Sequence, residues 1–97
     1  MFLVKSVVVD GKRAVGLKVD AISPPLLLII GEKGILSCGY FDLKIAEKFN
    51  VPVAVVRGVN SFEDMLNSAV QDLTSAASCL GVVKGDKGAV AVRKFLG

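Results

Sequence analysis

The chain reads as an α+β domain: a mixed, mainly antiparallel sheet with one βαβ unit and two helices, in the order β-β-β-β-α-β-α-β. Three observations predict this. An Asp10-Gly11 pair joins two valine-rich alternating runs. A continuous apolar run at 26–30 is turned back by residues 31–34 into a second apolar run at 35–39. A short helical pattern at 43–49 then precedes a third apolar run at 53–56, the spacing of a parallel crossover.

Residues 2–22 form the first hairpin. Asp-Gly is a favoured two-residue turn because both central positions need positive φ. That loop sets Val8 opposite Arg13 and Val4 opposite Leu17. Phe2, Val4, Val15, Leu17, Val19 and Ala21 then share one face, which is expected to be the core side. The other face mixes Leu3, Val7 and Val9 with lysines. Pro24-Pro25 breaks the chain, since proline has no place in a central strand. The unbroken apolar run Leu-Leu-Leu-Ile-Ile at 26–30 marks a strand buried on both faces.

Asp42 caps the helix at 43–49, Asn50 suits a left-handed C-terminal position and Pro52 prevents continuation. Apolar residues from Phe62 to Leu80 follow the helical period, so one helix of about 20 residues, roughly 30 Å, is expected there. Asn60 or Ser61 caps it, Glu63 and Asp64 occupy its first turn, and Gly81 ends it. Residues 89–96 read as a last strand with Val90 and Val92 inward or at a subunit contact.

Ninety-seven residues make one compact domain, 1–97. Apolar residues reach 53% and mean hydropathy is +0.62, which excludes a disordered chain. That is a high apolar content for so small a surface-rich domain, and a homo-oligomer is expected. Twelve basic and nine acidic residues are scattered, without the basic clustering of a nucleic-acid footprint. No apolar stretch reaches a membrane span, and the N-terminus lacks the basic region of a signal peptide, so a cytoplasmic protein is expected. There is no histidine, which removes Ser-His-Asp and Cys-His activation and every His-containing metal site. Two distant cysteines make neither a disulfide framework nor a zinc site, and no metal or cofactor is expected.

The βαβ unit also says where chemistry would sit. If the runs at 35–39 and 53–57 are parallel, the turns after them lie on one edge of the sheet, where open α/β sheets commonly bind ligands. Cys38 is the candidate nucleophile or redox thiol, placed beside a helix start and Arg57. Arg57 is the candidate anion holder, as a fork for carboxylate or phosphate. Gly39, Tyr40, Asp42, Asn60 and Ser61 complete the candidate ligand site, though Asp42 and Ser61 also read simply as helix caps. Cys79, beside Leu80, reads as packing. Glycines 81, 85 and 88 with Lys84 and Lys87 imitate a phosphate loop, but they follow a helix and lack Gly-Lys-Ser/Thr.

The segment Gly34-Ile-Leu-Ser-Cys38-Gly39-Tyr40-Phe-Asp42, with Ala46, Pro52-Val-Ala54-Val-Val-Arg57-Gly58-Val59, Phe62-Glu63-Asp64-Met-Leu66, Ser75-Ala76-Ala77, Leu80-Gly81-Val82 and Gly85, resembles the YunC-like family of small bacterial and archaeal proteins of unknown function. The resemblance spans roughly residues 5–92, and Cys-Gly-Tyr-Phe-Asp is its most specific part. It implies a compact α+β domain and supplies no activity, cofactor or catalytic residue. Three functions are therefore weighed: a non-catalytic oligomeric protein binding a small anion at the Cys38/Arg57 edge, a thiol-dependent enzyme using Cys38, and a structural or regulatory interaction module.

Overall fold

The computed structural model describes residues 2–97. Six strands form one sheet in sequence order: β1 Phe2–Val9, β2 Lys12–Val19, β3 Leu26–Ile30, β4 Ile35–Ser37, β5 Val53–Val55 and β6 Asp72–Leu73. Among the described residues only β4 and β5 run parallel, joined through α1, Leu43–Lys48. The other helices are α2, Phe62–Asn67, α3, Ser75–Cys79, and α4, Gly88–Phe95.

The mixed, mainly antiparallel sheet and its one βαβ unit are as expected, and the element order agrees through the start of α2. The hairpin register also agrees: Val4 pairs with Leu17 and Val8 with Arg13, and Asp10 and Gly11 both hold positive φ.

The hairpin's facing is reversed. Its buried side carries Val7, Val9 and Ala14, whereas Phe2, Val4, Val8 and Val15 are exposed. Gly16 explains the choice. A Cβ there would stand 2.8 Å from the Phe62 ring and from Val7 Cγ2, so α2 can lean on β2 only on the small-residue side. Hydrophobicity alone favoured the face with the larger side chains. For the same reason β3 is fully buried on one face, at Leu27 and Ile29, and half-buried on the other.

The single helix expected over 62–80 is two short helices with a strand between them. β5 would otherwise end the sheet with unpaired backbone groups, and buried backbone must be paired. The chain therefore extends at 70–74: Gln71 N–H donates to Val55 O at 2.8 Å and Thr74 N–H to Val53 O at 2.9 Å. Phe62, Met65, Val70 and Ala77 are buried and Leu66, Leu73, Ala76 and Leu80 half-buried, so a strand interlude has largely preserved the helical-looking pattern. The strand expected at 89–96 is also a correction, because these residues lie in α4. Gly88, Ala91, Val92 and Phe95 are its buried face, spaced i, i+3, i+4, i+7. Gly88 touches the Met65 carbonyl, where no Cβ fits, and this lets α4 cross α2 closely.

The main core lies between the sheet and the layer holding α2 and α4; it includes Leu27, Ile29, Leu36, Met65, Val92 and Phe95. A smaller core on the opposite face joins Ala46 of α1 to Val53 and Val55, with Ile35 packed against it. Thus α1 covers β4 and β5 on a face that β1–β3 leave bare.

Candidate functional site

The parallel pairing of β4 and β5 sends both strands toward one sheet edge. Ser37 stands beside Val55, and Val56 N–H extends the pair by donating to Ser37 O at 2.9 Å. At this edge lies a depression of about 510 Å³. Cys38, Gly39 and Tyr40 line it from the turn after β4, and Arg57 to Asn60 from the turn after β5. The third wall is Pro24-Pro25, immediately before β3. In the sequence those prolines signal only a break in the chain. The signal was available: antiparallel β3 and β4 necessarily bring the residues before Leu26 beside those after Ser37.

Cys38 forms part of the floor and is only 5% exposed. Its N–H donates to Leu27 O at 3.0 Å, and its Sγ accepts from Leu27 N–H at 3.3 Å. The sulfur thus replaces a carbonyl as ladder acceptor where β4 leaves the sheet. Ser37 Oγ donates to Cys38 O at 2.9 Å. Tyr40 is half exposed and spans two walls, its hydroxyl donating to Pro24 O at 2.7 Å. Arg57 lies across Gly39, where a Cβ would be 3.6 Å from Arg57 Cγ. Its guanidinium is exposed and, among the described residues, has no hydrogen-bond or ion-pair partner.

The other two candidates, Asp42 and Ser61, stand outside the lining. Asp42 Oδ1 accepts from Lys44 N–H at 2.9 Å, capping α1. Ser61 Oγ accepts from Asp64 N–H at 3.0 Å, while Asp64 Oδ2 accepts from Asn60 N–H at 3.0 Å. This reciprocal cap satisfies the start of α2 with the chain's own carboxylate. The Lys44, Asn60 and Asp64 N–H groups are therefore taken up by the chain's own side chains, and Arg57 is the free cationic donor in the lining. The walls are otherwise largely apolar: two prolines, Val59 and the Tyr40 ring. Among the described residues no three His, Cys, Asp or Glu gather as a metal site, and no helix is long and apolar enough to cross a membrane.

Residues 37–95 match the family described as a domain of unknown function, DUF1805. The chain belongs to that family. The matched stretch runs from the end of β4 through α4 and contains Cys38, Tyr40, Arg57 and Asn60. No curated protein matches this chain. A solved structure is similar over nearly its whole length: a protein of unknown function, TA1206, from Thermoplasma acidophilum, at 30% identity and a TM-score of 0.92, covering 98% of this chain and 93% of that one. The two proteins therefore share this fold, including the β1–β2 hairpin outside the stretch matched by the family.

Proposed function

We propose that this DUF1805 protein is a non-catalytic binding protein that takes up a small anion with an apolar body in the depression between Cys38–Tyr40 and Arg57–Asn60. One observation carries the reading: an unpaired guanidinium at the rim of a largely apolar depression. A carboxylate or phosphate would meet the Arg57 fork, and the rest of the molecule would lie against Pro24, Pro25 and Val59. The YunC-like resemblance is compatible with the family and brings no activity of its own.

Ligand-dependent stabilisation tests the reading. Across a panel of aliphatic and aromatic carboxylates and phosphates, a ligand at a hundred times its Kd raises stability by about 2.7 kcal/mol. For a domain of this size that is roughly a 10–20 °C rise in Tm. Arg57→Ala abolishes the rise while leaving the unliganded Tm nearly unchanged, because the guanidinium holds no partner in the fold. If no member of the panel moves the Tm of the parent protein, the reading fails.

The thiol-enzyme reading has less support. The sulfur is enclosed and engaged by Leu27 N–H, and with no histidine in the chain a proton acceptor beside it is lacking. In Cys79→Ser protein, Cys38 should alkylate much more slowly than Cys79 does in Cys38→Ser protein, since Cys79 is exposed. Faster reaction at Cys38 would reinstate the enzyme.

A further inference from the structure

A sheet that is apolar on both faces needs a layer on each. Here α2 and α4 cover most of one face, leaving Leu3 and Lys5 exposed at its β1 corner, but α1 covers the other only over β4 and β5. Over β1–β3 that second face stays bare. The register fixes its members, because directly opposed residues share a face. From β1 they are Phe2, Val4, Ser6 and Val8; from β2, Arg13, Val15, Leu17 and Val19; from β3, Leu26, Leu28 and Ile30. Nine of the eleven are apolar, and Arg13 is the one charge. Phe2 is 68% exposed, Val8 58%, Val4 55% and Val15 49%. Three of these four stand on the edge strand β1 and Val15 on β2, while Leu17, Val19, Leu26, Leu28 and Ile30 are half-buried.

We propose that this bare plate is the interface with a second copy of the same chain, stacked sheet against sheet. Area argues for it. A rise of about 3.3 Å per residue and a strand spacing of about 4.8 Å give a plate about 26 Å by 14 Å. Its corrugated side-chain surface is on the order of 500 Å², the size at which a monomer's largest apolar patch is itself functional. The backbone and side chains along the open edge of β1 bring it toward the about 800 Å² per partner of a standard interface. Chemistry argues the same way. With Arg13 as its one charge, the plate offers little to a nucleic acid, an acidic peptide or a lipid headgroup. Its best complement is another uncharged, regularly corrugated plate, and paired sheets pack about 10 Å apart with their strands about 30° off parallel. The resulting interface is self-complementary, as a two-fold contact requires.

Light scattering across a concentration series tests this. The parent chain, 10.2 kDa, should run at twice that mass. Val15→Lys and Val4→Glu, each placing a charge in the plate, should halve it, with the far-ultraviolet circular dichroism of the parent. Lys18→Glu, on the opposite face of β2, should keep the pair. If one plate variant does not fold, the other decides. A parent that stays at one copy into the millimolar range overturns the proposal and leaves the plate to a different partner. So does a pair that survives both plate substitutions, because it would join elsewhere.

Discussion

Thr74 shows how much one hydroxyl can organise. It is buried at 2% exposure, donates to Val51 O at 2.8 Å and accepts from Val53 N–H at 3.0 Å. It also caps α3 by accepting from Ala77 N–H at 3.3 Å. Thr74→Val keeps the shape but leaves the Val53 and Ala77 N–H donors and the Val51 carbonyl without this partner, which costs about 2–4 kcal/mol. Thr74→Ser retains the hydroxyl and should recover most of it; urea unfolding of the two variants makes the comparison. None of this is visible at position 74 in the sequence, where a threonine inside an apparent helix draws no notice. Asp42 and Ser61 are the opposite case. Their capping roles were legible because capping is local chemistry, settled within three residues. Arg57 lies between: the sheet edge it occupies followed from topology, whereas its lack of a partner depends on the whole surrounding surface.

At the scale of elements, the chain is ordinary up to Phe62 and deceptive afterwards. Gly88, Ala91, Val92 and Phe95 have helical spacing, yet Val90 and Val92 alternate well enough to suggest a strand. Eight residues do not separate the two periods; contact with α2 does. α4 is tied to the loop before it by Asp86, whose Oδ2 accepts from Val83 N–H at 3.1 Å and from Lys94 Nζ at 3.2 Å. The Val83 hydrogen bond, with help from the Lys94 ammonium, holds the Asp86 carboxyl below its usual value of 3.8 against an opposing effect of burial. Glu47, which accepts from Ser75 N–H at 2.8 Å, is lowered likewise by its hydrogen bonds to Ser75. A carboxyl with a depressed folded-state pKa stabilises fully above its unfolded value. That stability is lost as pH falls through the folded value. The parent should therefore lose stability as pH drops below about 4, and Asp86→Ala should show a lower Tm at neutral pH with a shallower acid dependence. Equal acid dependence in parent and variant would remove Asp86 from the account.

For the whole molecule, the informative error is the facing of the first hairpin. Alternation identified two faces correctly and pairing fixed their register, but the more apolar face is the one left exposed, so pattern alone pointed the wrong way. The choice was made from outside, by Phe62 fitting over Gly16. What the sequence did convey was the surplus: an apolar content too high for one small domain to hide. The bare plate over β1–β3 is where that surplus lies.

The two ends of the sheet are unequal, and this has a bearing on how the protein behaves when crowded. At one end β6 is two residues long and passes at once into α3, so it presents almost no backbone to a newcomer. At the other, β1 offers eight residues without proline, and Lys5 is its one charge. Strand-by-strand recruitment of neighbours has a single point of entry. A single copy with one adhesive end can join another such end and then has none left, so joining through strands alone stops at a closed pair; two copies held by the plate carry two such ends, and there Lys5 is the one charge on each edge strand.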